Sequence, residues 1–198
     1  MIGELIKEKA DLALASFPVT KERTEVVDFT PPLFDHGLAI LYKKPQVDAE
    51  GKLLIPFANV YELSRQTAIQ YGIVAGGSTS HFFKNSQAEP FKRMWAFMEA
   101  HPEQSFVNDY EKGIERVQNY NGTFAFIMEK LAAEYVMGRA CDTMVIGFGE
   151  RWNSTVKGSS LALPLSSPWK LTLSRLIEEL KADGSIAALY EKWWKGTC

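Results

Sequence analysis

The side chains best suited to contact a small charged ligand lie at three separate places in the chain. Arg23 carries a guanidinium, whose paired N–H donors match the two oxygens of a carboxylate. Residues 76–80 (Gly-Gly-Ser-Thr-Ser) join two glycines, which let the backbone approach a ligand closely, to hydroxyl side chains. Glu129 places a carboxylate directly after the apolar segment 124–128. These residue types are typical of sites that bind a charged small molecule.

Each of these groups also has a plain structural interpretation. An arginine in a loop is most often a solvated surface residue. A glycine-rich segment followed by Ser or Thr can be a turn with a helix N-cap. Glu129 can complement the positive N-terminal end of a helix dipole. Considered one at a time, the residues leave both interpretations open.

No arrangement of residues in the sequence is typical of catalysis. The three histidines, His36, His81 and His101, are far apart and form no HExxH motif. A GxSxG elbow is lacking, and the glycine segment has no Lys in the Walker A position. We therefore expect no enzymatic activity, no metal and no cofactor.

The composition argues against two classes of partner. Lys and Arg number 22 and Asp and Glu number 24, which gives a net charge of −2 without a basic stripe, so nucleic acid is not an expected partner. No apolar run reaches the ~18 residues that a membrane helix needs. The first residues also lack the basic and apolar pattern of a signal peptide.

Segments with strand and helix patterns alternate along the chain, which predicts an α/β fold. In this prediction the loop at 76–80 precedes a helix, whose first N–H groups attract an anion. Glu129 lies at the carboxyl end of a strand, where open α/β sheets bind ligands. Strands are predicted at residues 10–15, 37–42, 67–74 and 123–128, and helices at 91–100, 111–118 and 129–138, then one ending near Asp183-Gly184 and a last one carrying Trp193-Trp194.

Several segments, in order along nearly the whole chain, resemble the ligand-binding domain of ionotropic glutamate receptors of the AMPA and kainate type. The resemblance depends on the number and order of the segments rather than on any single motif. The matching segments are Gly3-Glu4-Leu5, Lys9 to Ala13, Arg23 with Val27-Asp28-Phe29, Gly37 to Pro45, Gln66-Thr67, Tyr71-Gly72, Gly77-Ser78-Thr79 with Phe82-Phe83, Met94-Trp95, Met128-Glu129, Glu134-Tyr135, Cys141 to Met144, and Lys192 to Cys198.

The resemblance implies a two-lobed clamp similar to type II periplasmic binding proteins, with two crossing strands as the hinge. Residues 1–38 and 161–198 would form lobe 1, and residues 39–160 would form lobe 2. The family has further lobe 1 strands before the position of Met1, and it has channel helices where residues 45–57 run directly on. We therefore expect a chain that is truncated at its N-terminus and lacks the channel helices.

By the same resemblance, the ligand is an amino acid whose α-carboxylate is held by Arg23 and whose ammonium is held by Glu129. Ser78 and Thr79 would take carboxylate oxygens through their N–H groups and hydroxyls. Three further ligand-contacting positions are implied: Ser16, Pro18 where the family commonly has Thr, and Tyr110 in place of a smaller polar residue. Proline has neither an N–H nor a hydroxyl, so one carboxylate donor and one ammonium acceptor are missing.

The identity of the ligand is predicted from the same positions. The intact Ser78-Thr79 loop favours L-glutamate, bound by clamshell closure that ligand contacts stabilise. Tyr110 and Pro18 also fit a smaller ligand, so a glycine- or alanine-binding receptor domain is the alternative. A soluble solute-binding protein that delivers its ligand to a transporter is a further alternative from another class of function.

The resemblance also implies a disulfide between Cys141 and Cys198, since both have family-like neighbours; the spacing alone is also compatible with two free thiols. Sequons at Asn121 and Asn153 predict N-glycosylation. A disulfide and glycans together predict the extracellular side of the plasma membrane. The expected partners are the amino-acid ligand and other receptor subunits, and the membrane is reached only through channel helices that this chain lacks.

Overall fold

The computed structural model of the chain describes residues 1–15, 19, 21–34, 37–149 and 159–198. The chain forms two compact units. The first comprises Met1–Gly37 and Ser154–Lys195, and the second comprises Leu38–Asn153 and Gly196–Cys198. Each unit is thus assembled from two separate stretches of the chain.

The described residues form helices and strands in alternation, as an α/β fold requires. In chain order the elements are α1 (Ile2–Ile6), α2 (Lys21–Thr24), β1 (Val27–Phe29), β2 (Leu38–Lys43), α3 (Val60–Arg65), β3 (Gln70–Val74), α4 (Ser78–Asn85), α5 (Phe91–Ala100), α6 (Pro102–Ser105), β4 (Phe106–Val107), α7 (Tyr110–Asn119), β5 (Phe124–Glu129), α8 (Lys130–Met137), β6 (Thr143–Gly147), β7 (Ala162–Pro164), α9 (Trp169–Ala182) and α10 (Ser185–Trp194).

The second unit is organised around a five-stranded sheet with the strand order β4-β3-β5-β2-β6. Strands β3, β4 and β5 run parallel to one another, whereas β2 is antiparallel to both β5 and β6. The register pairs Val74 with Val107 and Gly72 with Phe126. Because the three parallel strands point the same way, the residues that follow them in sequence meet at one edge of the sheet. This edge is called the carboxyl edge below.

The central strand of this sheet, β5, and its neighbour β2 are buried along almost their whole length. Their near-continuous apolar sequences agree with that burial, since strands covered on both faces do not alternate with polar residues. Two neighbouring helices, α7 and α8, contribute to the same apolar cluster through Val117 and Ala133. This packing fixes the position of β5 and therefore of Glu129 at its end.

An aromatic cluster holds helices α4 and α5 together in the second unit. Phe83 and Phe91 pack edge to face with ring centroids 5.6 Å apart, and Phe91 stacks on Phe148 at 5.9 Å. All three side chains are fully buried or nearly so. Edge-to-face and offset ring pairs add about 0.5–1.5 kcal/mol each beyond the burial of their area. The cluster therefore gives α4, which carries Ser78 and Thr79, a rigid support.

The first unit contains a two-stranded antiparallel sheet in which β1 pairs with β7. Its small core is made by Leu5, Ala13, Val27 and Ala162. The strand predicted at residues 10–15 is wrong, because only Ala13 forms a bridge there, to Ala162. Leu12 and Leu14, on either side, are 42% and 68% exposed, and Ala13 is the buried residue of this segment, with Ala10 and Ala15 partly buried against the same core.

The C-terminal residues are bound to the second unit by the predicted disulfide, which is present between Cys141 and Cys198. The Cys198 N–H also donates to the Gly138 carbonyl oxygen at 3.3 Å. A Cβ added at Gly196 would lie 1.5 Å from that same oxygen, so this close approach of two backbone segments requires glycine. Among the described residues, no helix combines the length and apolar character that a membrane crossing needs.

Strongly periodic segments were predicted well from the sequence. The helix predicted at 91–100 is confirmed as α5, and those predicted at 111–118 and 129–138 are confirmed as α7 and α8 with each end shifted by one residue. Gly184 has a φ of 80° between α9 and α10, as expected for a glycine that ends a helix. The elements α1, α3, α6, β4, β6 and β7 were not predicted.

Candidate functional site

The carboxyl edge of the parallel strands brings three of the predicted ligand-binding residues into contact. Ser78 begins the helix after β3, Tyr110 begins the helix after β4, and Glu129 is the last residue of β5. The Ser78 hydroxyl lies 3.5 Å from Glu129 Oε1, and the Tyr110 hydroxyl donates to Glu129 Oε2. Residues 51 and 19 positions away from Glu129 in sequence therefore form one polar cluster with it, because β4, β3 and β5 are adjacent in the sheet.

Ser78 and Thr79 occupy the first turn of α4, where backbone donors point out of the helix. The first N–H groups of a helix have no intrahelical acceptor, and they carry the positive end of its dipole. Gly76 has a φ of 67°, a conformation that strongly favours glycine, and Gly77 is the N-cap residue. Because Gly77 has no side chain that could bond to these N–H groups, this helix start suits a carboxylate ligand. Thr79 is buried, with 7% of its surface exposed.

Glu129 is half-buried between a strand and a helix. It ends β5, where it pairs in register with Leu38 of β2, and it serves as the N-cap of α8. Burial raises the pKa of this carboxyl above its ordinary value, although hydrogen bonds from its own backbone N–H and from the Ser78 hydroxyl act in the opposite direction. A desolvated carboxylate of this kind gains more than an exposed one from a cationic partner.

Tyr110 is held in place from two sides. Asp109 caps α7 by accepting a hydrogen bond from the Lys112 N–H at 2.9 Å. The Tyr110 ring packs edge to face on Phe126, with centroids 6.1 Å apart. Gly113, one turn further along α7, leaves room for Phe126, since an added Cβ would lie 2.3 Å from that ring. The sequence predicted a pocket position for Tyr110 but not its bond to Glu129, because the strand before Tyr110 has only two residues and no pattern of its own in the sequence.

The remaining predicted ligand contacts are placed elsewhere or fall outside the described residues. Arg23 belongs to the first unit, where it lies half-buried in α2, four residues before β1. Ser16 and Pro18 lie outside the described residues, as does the sequon residue Asn153. In the part of the chain that the structure describes, no group of three or more His, Cys, Asp or Glu side chains is arranged to hold a metal.

The other sequon lies in a tight turn at the surface of the second unit. Asn121 is exposed, and it and Gly122 have φ values of 48° and 79°. The turn is closed by a hydrogen bond from the Thr123 N–H to the Tyr120 carbonyl at 2.9 Å. Asn-Gly is the pair favoured where both central residues of a turn have positive φ, so this turn between α7 and β5 also accounts for these residues.

Comparison with known proteins identifies the family. A family model described as "Ligated ion channel L-glutamate- and glycine-binding site" matches residues 1–46. The structure titled "Drosophila muscle GluRIIB complex with glutamate" superposes with a TM-score of 0.80 at 29% identity, over 98% of this chain and 72% of that one. The rat protein "Glutamate receptor ionotropic, kainate 1" is 34% identical over 141 residues, or 71% of this chain. The chain belongs to the ionotropic glutamate receptor ligand-binding-domain family.

Membership in this family confirms the predicted fold class, an α/β fold like that of type II periplasmic binding proteins. A "Glutamate receptor" from Lymnaea stagnalis aligns with the whole of this chain at 25% identity. The chain spans 33% of the length of that relative and 14% of the rat kainate receptor. Ionotropic glutamate receptors of this kind are therefore considerably longer proteins than the chain described here.

Proposed function

We propose that this chain binds an amino acid, with L-glutamate as the favoured ligand, as the ligand-binding domain of a ligand-gated ion channel. The observation that carries the proposal is the carboxyl edge of the second unit, where the Glu129 carboxylate lies beside the first turn of α4. An acceptor for an ammonium group and a set of donors for a carboxylate are thus available side by side. A ligand that carries both charges complements this pair of groups.

The role of each residue follows from its chemistry. The half-buried Glu129 carboxylate accepts the ligand ammonium, and Ser78 and Thr79 donate N–H and hydroxyl hydrogen bonds to carboxylate oxygens. Arg23 supplies the guanidinium that holds the α-carboxylate through two parallel hydrogen bonds. Binding acts by clamshell closure of two lobes, 1–38 with 161–198 and 39–160, and the ligand shifts the population towards the closed state by its higher affinity for it.

The intact loop at Ser78-Thr79 favours glutamate over smaller amino acids, because it can hold a distal carboxylate. One observation favours the smaller ligands. The Tyr110 ring, 37% exposed, stands at the carboxyl edge next to Glu129 and takes up space there. Glycine or alanine is therefore the alternative ligand.

The cellular setting is proposed from the disulfide and the family. A Cys141–Cys198 bond persists in an oxidising compartment, which agrees with the extracellular side of the plasma membrane. In the intact protein the domain acts together with other receptor subunits, and it binds its ligand without chemical turnover. A soluble solute-binding protein is disfavoured by the family, since the relatives from Lymnaea stagnalis and rat are both named as glutamate receptors.

Calorimetric titration with glutamate, glycine, alanine and serine tests the proposal directly. At least one of the four should bind saturably, and Glu129→Gln should weaken that binding by about 1.5–3 kcal/mol, the usual contribution of a hydrogen bond to a charged group. Glu99→Gln, an exposed glutamate on α5, is the matched control and should bind like the parent protein. Absence of saturable binding for all four amino acids, or consumption of the ligand during the titration, would contradict the proposed function.

We also propose N-glycosylation at the exposed Asn121 and at Asn153. Secretion from a eukaryotic host should give a mass excess that Asn121→Gln and Asn153→Gln each reduce. Treatment with an endoglycosidase should remove the same mass, and unchanged masses in both variants would contradict glycosylation at these positions.

A further inference from the structure

Tyr110 uses part of the hydrogen-bonding capacity of Glu129. Its hydroxyl donates to Oε2 of the carboxylate, while the Ser78 hydroxyl lies 3.5 Å from Oε1. Each carboxylate oxygen therefore has a hydroxyl donor from the protein, one on the helix after β4 and one on the helix after β3. A carboxylate has about four lone-pair sites in all, and the backbone N–H of Glu129 also acts on it, so only the remaining capacity is open to N–H donors of a ligand.

The position of the Tyr110 ring depends on its contact with Phe126 and on the way α7 begins and packs. The ring packs on Phe126, which is fully buried and lies three residues before Glu129 on the same strand. The Asp109 cap sets the start of α7, and the missing side chain at Gly113 lets this helix lie against Phe126. The ring therefore stands beside the carboxylate, packed against Phe126 and with 37% of the residue exposed.

We propose that Tyr110 is a selectivity residue of this site: its hydroxyl positions the Glu129 carboxylate, and its ring restricts the adjoining space to an unsubstituted primary ammonium group. The proposal rests on the proposed function, in which Glu129 accepts the ligand ammonium. Because the hydroxyl touches the same carboxylate, a ligand nitrogen bound there lies close to the end of the phenol ring. An alkyl group on that nitrogen would meet the ring and would also remove one of its N–H donors.

The positioning role can be tested without any ligand, by following the titration of the Glu129 carboxyl with carbon NMR. Tyr110→Phe keeps the ring and removes only the hydroxyl, which donates to the charged form of Glu129. The pKa of Glu129 should therefore rise in this variant. The variant and the parent protein have the same charged groups near Glu129. These are Lys130, which lies 3.6 Å from Glu134, and Asp109, which caps α7.

Tyr120→Phe is the matched control for this measurement. Tyr120 lies at the other end of α7, and its ring packs edge to face on Phe124 at 6.0 Å, much as Tyr110 packs on Phe126. Its loss of a hydroxyl should leave the Glu129 titration unchanged. An unchanged Glu129 pKa in Tyr110→Phe would overturn the proposal.

The selectivity role is tested by the ratio of dissociation constants for N-methylglycine over glycine and for N-methylglutamate over glutamate. Removing the ring in Tyr110→Thr should lower this ratio by about tenfold, the lower end of what one methyl group contributes in a fitted pocket. Tyr110→Phe, which keeps the ring, should leave the ratio close to that of the parent protein, and so should Tyr120→Thr. An unchanged ratio in Tyr110→Thr would overturn the proposal.

The two measurements separate this inference from the proposed function. If the parent protein binds neither glycine nor glutamate, the proposed function fails, and the Glu129 titration still decides whether Tyr110 positions the carboxylate. If the parent protein binds an amino acid and the Tyr110 variants behave like it, the proposed function stands and the inference about Tyr110 is overturned.

Discussion

Glu129 shows how one residue can favour binding at the expense of stability. Its carboxyl is half-buried, and burial raises its pKa, so at neutral pH the folded protein holds a charge that water would solvate better. The hydrogen bonds from Ser78 and Tyr110 offset part of this cost. A cationic ligand would offset more of it, which is the physical reason why a partly desolvated carboxylate suits an ammonium group.

Replacing Glu129 by Gln should therefore stabilise the protein at neutral pH while weakening amino-acid binding. A carboxyl whose pKa is raised on folding binds its proton more tightly in the folded state, so its contribution to stability is present at low pH and is lost as the pH rises through the folded pKa. Urea unfolding at several pH values should show a free-energy advantage for Glu129→Gln at neutral pH that shrinks on acidification. A variant that is less stable than its parent throughout this pH range would contradict the expectation.

Ligand affinity should depend on the same titration of Glu129, but in the opposite direction from stability. The ammonium group needs the charged carboxylate, so affinity should fall as the pH drops through the raised pKa of Glu129, at a higher pH than for an ordinary glutamate. Calorimetric dissociation constants measured from neutral to acidic pH provide the check. Affinity that stays constant until the protein unfolds would argue against Glu129 as the ammonium acceptor.

Arg23 is the second residue whose chemistry sets a quantitative expectation. If it holds an α-carboxylate through two parallel hydrogen bonds, Arg23→Lys keeps the charge but loses the fork, and affinity should fall by about 1.5–3 kcal/mol for every amino acid that binds. Arg175→Lys, at an exposed position on α9 of the same unit, is the control and should have no effect. An unchanged dissociation constant for Arg23→Lys would exclude the carboxylate-binding role.

At the scale of elements, the site depends on how helix α7 approaches strand β5. The helix carries Tyr110 at its first position and Gly113 one turn later, and both contact or face Phe126 of the strand. A side chain at position 113 would push the helix away from the sheet. Tyr110 would then move away from Glu129, so helix packing and site geometry are coupled.

Gly113→Ala should therefore destabilise the protein, although alanine normally favours helices over glycine. The added Cβ would lie 2.3 Å from the buried Phe126 ring, and overpacking of this kind costs about 1–3 kcal/mol. Gly3→Ala in α1 meets no atom within 4 Å and should instead stabilise by about 0.5–1 kcal/mol. Unfolding free energies of both variants test the pair, and equal shifts in the two would refute the packing argument.

The elements themselves were predictable where a long periodic pattern met clear end signals. Helix α5 has Phe91, Met94 and Met98 buried on one face, and this spacing is visible in the sequence. Strand β4 has only two residues, so no local pattern in the sequence could predict it. It is a strand because it pairs with β3. The segment at 10–15 failed for the converse reason, since its apolar residues have no neighbouring strand apart from the bridge at Ala13.

At the scale of the whole molecule, the disulfide between Cys141 and Cys198 has the largest expected effect on stability. It joins residues 57 positions apart, and the chain-entropy model gives a stabilisation of about 4 kcal/mol for a loop of this length. Both cysteines are exposed, so a reductant can reach the bond. The bond also holds the last three residues to the second unit, whereas α10 belongs to the first.

The double variant Cys141→Ser/Cys198→Ser should therefore unfold at a lower urea concentration than the oxidised protein. Adding a reductant should lower the stability of the parent protein to a similar extent and should leave the double variant unchanged, which serves as the control. Equal stability of the oxidised and reduced parent protein would show that the bond does not constrain the unfolded chain in the way this model assumes.

The sequence by itself determined the fold class, the family and the chemical nature of the candidate binding groups. Residue type, apolar periodicity and the order of motifs are local properties, so they can be read without knowing which segments are neighbours. The carboxylate at the end of β5 and the donors at the start of α4 were both expected on this basis.

Only the tertiary structure decided which of these groups touch. Ser78, Tyr110 and Glu129 meet because β3, β4 and β5 run parallel and end at one edge of the sheet, an arrangement set by strand order and register. Strand order depends on the burial of whole strands and on packing between distant segments, and no spacing within the sequence encodes it directly. The bond between Tyr110 and Glu129, and with it the proposed selectivity of the site, therefore became visible only in the folded chain.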